Sequence, residues 1–294
     1  MRATFAAAIQ GALREALQDP SVRLFGDGIV AGESVTTRGL AALFPDQVQD
    51  LPISDRASAA FCLGLALGGQ RPILEVSSLG RLAAMMEVLV EAGAIAQAGE
   101  FPANVTFRVA YGGQAGSAID TPLLASLADI PGLTIACADS PTQAAALVRA
   151  ALQARGPVVL LESRALYNTS ETVSEANHPL FALRSVREGS HISLIGWGES
   201  VSASMDAALC LEKEGYSAEV LDLSTLSPVD SKTLGQHVRQ TGRVVVVCPT
   251  DLSFGARLTS VVLAEGFEYL EAPPVAVLSN PSAVLAASRS ALTF

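Results

Sequence analysis

The chain has 294 residues, half of them hydrophobic and only 16% charged, and carries a net charge of −10. That is enough chain for two domains and enough apolar surface for a large core or interface, while the acidic balance and the absence of a basic cluster (Lys213 and Lys232 are its only lysines) exclude nucleic acid and an anionic membrane as partners. Apolar runs are broken by Gly, Pro or charge well short of the roughly 18 residues a transmembrane helix needs, and Met1-Arg2-Ala3-Thr4-Phe5 runs into an amphipathic pattern rather than a signal peptide, so a cytoplasmic protein is expected.

Apolar, β-branched runs alternate with Ala-rich amphipathic segments, the pattern of a parallel α/β sheet. A helix is predicted over Thr4–Gln18 with Thr4 as its cap, then a strand over Val22–Phe25 that ends on Gly26-Asp27-Gly28. Ile53-Ser54-Asp55 leads into a small-residue helix over Ala57–Gly68. Strands follow at Ile73–Val76, Val105–Val109, Leu133–Cys137 and Val158–Leu161, separated by helices over Leu82–Ala98, Leu123–Asp129 and Thr142–Gln153. The stretch from about Tyr167 to Leu183 is polar and turn-prone and reads as a linker. Beyond it βα alternation restarts, with strands at Ile192–Gly196, Ala218–Leu223 and Val244–Cys248 and helices over Val201–Lys213, Ser231–Thr241 and Ala256–Glu265. The expected fold class is α/β with two doubly wound domains, at 1–170 and 186–294, joined by a linker at 171–185.

Several catalytic classes are excluded by residue placement. The only histidines, His178, His191 and His237, lie in or after the linker, so the first domain has no His for a Ser-His-Asp or Cys-His arrangement. Acid–base work there falls to carboxylates. Cys62, Cys137, Cys210 and Cys248 are scattered without a CxxC pair, and are expected to be buried thiols rather than zinc ligands or disulfides. The Gly-rich stretch Gly112-Gly113-Gln114-Ala115-Gly116 is not a GxGxxG loop, and there is no P-loop. Two carboxylates stand out. Asp55 lies between Leu51-Pro52-Ile53 and the Ala/Gly-rich helix, where either it or Ser54 could serve as an N-cap. Glu75 ends the run Pro72-Ile73-Leu74-Glu75, facing the usual crevice at a parallel strand's C-terminal end, or pairing with a nearby Arg such as Arg71 or Arg81.

The order of segments resembles the beta subunit of pyruvate dehydrogenase-type 2-oxo-acid dehydrogenases and the C-terminal half of split transketolases. Leu51-Pro52-Ile53-Ser54-Asp55 is similar to that family's "TPISE", and 64–73 to its "GAAxxGxRPV". Pro157–Glu162 with Leu166-Tyr167 is similar to "PVVFLE…LY", 218–230 to "AEVIDLRTLxPLD", and Thr241–Val247 to "TGRxxVV". The correspondence is colinear over essentially the whole chain. It implies a transketolase-like pyrimidine-binding domain followed by a transketolase C-terminal domain. It also implies thiamine diphosphate and Mg²⁺ shared with an alpha-type partner in an alpha2beta2 heterotetramer. In the family the partner holds diphosphate and metal, while the Glu of "PISE" bonds a pyrimidine nitrogen; burial raises a carboxyl pKa and lets it share a proton with the ring. By this resemblance Asp55 is the expected catalytic residue, and Asp27, Ile53, Asp55 and Leu79 are the expected cofactor contacts.

Departures from the pattern are specific. Asp55 is one methylene shorter than the family's Glu. Leu79 falls where an aromatic stacks on the ring and cannot stack in the same way. Ser117-Ala118-Ile119-Asp120 replaces a His-containing segment, leaving Ser117 and Asp120 on the expected substrate channel. Gln153-Ala154-Arg155-Gly156 replaces an Asp-containing turn associated with a monovalent cation. Gly26-Asp27-Gly28 resembles the opening of the metal-diphosphate motif of thiamine enzymes, but no Asn follows at the required spacing, so a strand-end turn is the better reading and no metal ligands are assigned to this chain. The expected activity is transfer of a small acyl or ketol unit from a 2-oxo acid or ketose to an acceptor other than standard lipoyl, a carrier protein or small molecule, and only with the partner present. The alternatives are a split transketolase section and a subunit that has lost its site and serves as scaffold or regulator.

Overall fold

The computed structural model describes residues 2–52, 54–112, 123–174, 179–181 and 183–294. Ile53, Ser117, Asp120 and His178 therefore lie outside the described residues, as do parts of the expected linker. The chain forms two compact units, one of residues up to Leu180 plus Leu226–Pro228, the other of Phe181–Thr225 and Val229–Phe294.

In chain order the first unit contains β1 (Arg2–Thr4), α1 (Phe5–Ala16), β2 (Val22–Gly26), α2 (Leu40–Leu43), β3 (Val48–Asp50), α3 (Asp55–Leu67) and β4 (Arg71–Val76). A 3-10 helix (Leu79–Met85) follows, then α4 (Met86–Ala98), β5 (Thr106–Tyr111), α5 (Leu123–Ala128), β6 (Thr134–Cys137), α6 (Pro141–Gln153), β7 (Val158–Ser163) and β8 (Ser170–Thr172). The second unit contains β9 (Leu183–Arg187), β10 (Ile192–Gly196), α7 (Ser200–Lys213) and β11 (Ala218–Leu223). After the short strand β12 (Thr225–Ser227) come α8 (Ser231–Thr241), β13 (Val244–Cys248), α9 (Ser253–Gly266), β14 (Val275–Leu278) and α10 (Pro281–Leu292).

Among the described residues seven strands form the first sheet in the order β12-β6-β7-β5-β4-β2-β3, and the pairs from β3 across to β6 are parallel. Because successive strand side chains point to opposite faces, one face carries Val22, Leu24, Ile73, Val158 and Leu160, packed against Phe5, Ile9 and Leu13 of α1 and Leu147 and Val148 of α6. Each such buried aliphatic contributes roughly 1.5–3 kcal/mol relative to exposure. The next residue along, Phe25, turns to the other face and meets Phe61 of α3 edge-on at 5.4 Å. Burial on both faces is why these strands read as unbroken apolar runs. Thr4 caps α1 by accepting from Ala7 N at 3.2 Å, while Arg2–Thr4 pair antiparallel with Ser170–Thr172, so part of the stretch read as linker is a strand.

The segment read as one helix over Leu82–Ala98 is divided into the 3-10 helix and α4. Val88, Leu89, Ala92 and Gly93 of α4 are buried, while Val90 is 48% exposed, so most of its apolar character is ordinary core.

The second sheet runs β14-β13-β10-β11-β9, parallel except for the antiparallel edge strand β9. Ile192, Leu194, Val220, Val245 and Val247 pack with α7 and α10 residues on one face. On the other, Trp197 meets Phe254 of α9 edge-on at 5.2 Å. His237 of α8 faces the buried Glu219 at 2.6 Å. Cys62, Cys137 and Cys248 are buried, but Cys210 is exposed. It falls off the buried stripe of α7 formed by Ser204, Ala207, Ala208 and Leu211.

Candidate active site

Strand order locates the crevice. The chain places β3 on one side of β2 and then β4 on the other. Sequential connections thus leave β2 and β4 in opposite directions, and a topological switch point of this kind opens a ligand crevice at the strands' C-terminal ends. The connections that follow β2, β3 and β4 carry Asp27, Asp55 and Ser77 respectively.

The turn after β2 is built by its glycines. A Cβ at Gly26 would lie 2.7 Å from Ile29 Cγ2, and Gly28 has φ +68° with Glu33 where a Cβ would go. Only glycine suits both positions without strain. Asp27, between them, is half exposed at 53%.

Asp55 is the first residue of α3. Ser54 is the N-cap by position but makes no side-chain cap hydrogen bond. The Asp55 carboxylate meets Arg81 from the 3-10 helix, whose Nε and Nη2 reach Oδ1 at 2.8 and 2.5 Å. The same guanidinium donates through Nη1 to Ser77 Oγ at 2.9 Å and stands 3.9 Å from Asp27 Oδ2. Arg81 thereby draws together Asp27 and Asp55, two of the residues singled out in the sequence. Asp55 and Arg81 remain 20% and 26% exposed, so the pair is open to a ligand. Leu79 is buried at 3%. Neither Arg81 nor Ser77 was assigned to the site from sequence. The usable signal was an Arg in the connection after β4 when the two neighbouring strand-end connections carry Asp.

Beneath the crevice lies a second, buried group of charges. Glu75, Arg108 and Glu162 lie on adjacent parallel strands, with Glu75 opposite Arg108 and Arg108 two positions before the partner of Glu162. They continue the face that packs on α1 and α6. Arg108, 1% exposed, donates to both oxygens of Glu162 at 2.7 and 2.9 Å, to Glu75 at 3.0 Å and to Thr36 Oγ1 at 2.8 Å. Tyr167 donates to Glu162 at 3.1 Å. Glu75 therefore pairs with Arg108 rather than with Arg71 or Arg81; Arg71 binds Asp19 at the other end of β4. Burial pushes the Glu162 carboxyl up, and Arg108 opposes that only in part. Burial also raises the Tyr167 phenol. For Arg108, desolvation works against the charge, but Glu162 and Glu75 outweigh it and hold the guanidinium protonated. Among the described residues no group of three or more His, Cys, Asp or Glu side chains could hold a metal ion.

Two α/β units with a strand-end crevice of this kind define a class, and comparison with known proteins places the chain in it. The family model "Transketolase, pyrimidine binding domain" matches residues 1–170, and "Transketolase, C-terminal domain" matches 182–293. The pyruvate dehydrogenase E1 component subunit beta of Staphylococcus epidermidis is 35% identical over 94% of this chain and 90% of its own length. The chloroplastic subunit beta-3 of Oryza sativa is 33% identical over 92% of this chain and 73% of its own. Among solved structures, a split-gene transketolase described as an inactive beta4 tetramer superposes with a TM-score of 0.82 at 22% identity, covering 98% of each chain. Transketolase from Leishmania mexicana superposes with a TM-score of 0.74 at 18% identity, over 98% of this chain and 45% of that one. The chain belongs to the transketolase family, among the relatives of the pyruvate dehydrogenase E1 component subunit beta.

Proposed function

We propose that the chain is the pyrimidine-binding half of a two-chain thiamine diphosphate enzyme that moves a small acyl or ketol unit from a 2-oxo acid or ketose. The observation that carries this reading is the gathering of Asp27 and Asp55 around Arg81 at the β2/β4 switch point. The residues fit an aminopyrimidine. From a partly exposed position at the head of α3 the Asp55 carboxyl can share a proton with a ring nitrogen; the family resemblance adds Leu79 and Ile53 as apolar contacts, Ile53 lying outside the described residues. The bound cofactor supplies the carbanion chemistry, and the protein supplies orientation and a proton partner. Asp55 is that partner, and Asp27 faces the cofactor from the turn after β2. By the family resemblance an alpha-type subunit is assigned the diphosphate and Mg²⁺, in an alpha2beta2 heterotetramer in the cytoplasm. The family resemblance puts Ser117 and Asp120, which lie outside the described residues, in place of its His-containing segment on the substrate channel, and the loss of that His favours an acceptor other than lipoyl, such as another carrier or a small molecule.

The test is co-purification with the alpha-type subunit, followed by calorimetric titration of the pair with thiamine diphosphate and Mg²⁺. Micromolar binding that disappears in Asp55→Ala supports the reading, and no binding by the pair sinks it. A second reading, a catalytically silent scaffold subunit, is favoured by one observation: the expected catalytic carboxylate is already held by Arg81.

A further inference from the structure

Two arginines serve the strand-end region in opposite ways. Arg108 is 1% exposed and fixed by acceptors on three sides. Arg81 is 26% exposed and extends from a 3-10 helix over the connections after β2, β3 and β4. It places both Nε and Nη2 on the single oxygen Oδ1 of Asp55, and Nη1 on Ser77. A partly exposed pair of this kind is weak enough to open at modest cost, whereas removing a buried charge from its partners is not. The acceptor edge of Asp55 can satisfy the guanidinium or an N–H of an aminopyrimidine, that of its exocyclic amine or of a ring nitrogen that has taken up a proton. Its short side chain gives it little reach to serve both.

We infer that Arg81 is a positioning residue that competes with the cofactor ring for Asp55: it holds the carboxylate at the switch point in the free chain and must release it when an aminopyrimidine binds. The inference rests on the reading of Asp55 as the ring's partner. Ser77 Oγ and Asp27 Oδ2, 2.9 and 3.9 Å from Nη1, give the displaced guanidinium somewhere to go. The device makes ring recognition depend on an exchange of partners, so a ligand that offers no donor to Asp55 leaves the pair closed.

The experiment uses the full chain and, as probe, the uncharged aminopyrimidine alcohol that forms half of thiamine, followed by saturation-transfer NMR at several NaCl concentrations. Without a charge on the probe, any salt dependence comes from the protein. Wild type should bind more tightly as salt weakens the Arg81–Asp55 pair. Arg81→Met should bind about fivefold more tightly than wild type, the scale of a partly exposed ion pair, and lose the salt dependence. Arg81→Lys should restore it, which a merely structural arginine would not do. Asp55→Ala should abolish binding in either background. Thermal melts of each variant report folding, and Arg81→Lys carries the comparison if Arg81→Met fails to fold. Unchanged or weaker binding by Arg81→Met, with Asp55 still required, overturns the role of Arg81 and leaves the pyrimidine reading standing. If wild type, Arg81→Met and Arg81→Lys all fail to bind, or bind equally without Asp55, both fall.

Discussion

Arg108 lays its Nε and Nη2 on the two oxygens of Glu162 at 2.7 and 2.9 Å, and neither side chain is more than 6% exposed. Such a pair owes its stability to completeness, because each desolvated charge depends on the other. Arg108→Met should destabilise the protein by roughly 3–5 kcal/mol, since it strands two carboxylates, Glu75 and Glu162, on the strands that flank its own. Chemical denaturation monitored by circular dichroism checks this; a loss below about 1 kcal/mol would mean that water reaches the cluster.

Glu162 also sets a pH dependence. Its carboxyl is raised above the ordinary value of 4.5 mainly by burial. A raised acid favours the folded state in its protonated form, so its contribution is fully present below the unfolded value and is lost as pH rises through the folded one. Stability should therefore fall across the interval that opens above about 4.5, and Glu162→Gln should show a shallower fall. Melting temperatures of both proteins across that interval provide the measurement.

Asp55→Glu restores the longer side chain of the family's pattern at the head of α3. With Asp55 only 20% exposed and held by Arg81, the added methylene should shift the Arg81 contact while changing stability by less than about 1 kcal/mol. In complex with the alpha-type subunit the variant should bind thiamine diphosphate at least as well as wild type. Calorimetry reads this, and a large loss would show that the pocket is built around Asp.

Gly28→Ala places a Cβ at φ +68°, 2.6 Å from the Glu33 carboxyl carbon. The strain should cost about 1–2 kcal/mol and displace the turn carrying Asp27. A drop of several degrees in melting temperature is expected, and Glu33→Ala in the same chain should recover the part due to collision but not that due to backbone conformation.

Much of the architecture was legible because strands buried on both faces must be apolar throughout. Val22–Phe25, Ile73–Val76 and Val244–Cys248 announce themselves in this way. The partner of Asp55 was not legible. Arg81 lies in a connection whose direction depends on where β4 emerges, and sequence distance offered Glu75 as an equally good mate. Arg108 was hidden for the opposite reason. One cation inside Thr106–Tyr111 looks like an ordinary solvent-facing position until the register of β4, β5 and β7 sets it between two glutamates. The strands β1, β3 and β12, each three residues long, carry too short a pattern to be recognised.

The return of Leu226–Pro228 to the first unit orders events during synthesis. β12 forms the edge of the seven-stranded sheet beside β6, and Ser227 Oγ donates to the Ala128 carbonyl at 3.2 Å. A nascent chain that has reached only residue 180 therefore exposes β6 as a bare edge, the kind of template on which strands from other chains add. The first unit closes only after β11 of the second has left the ribosome. A gene cut between the two family-model matches would release a fragment prone to aggregate rather than a working module.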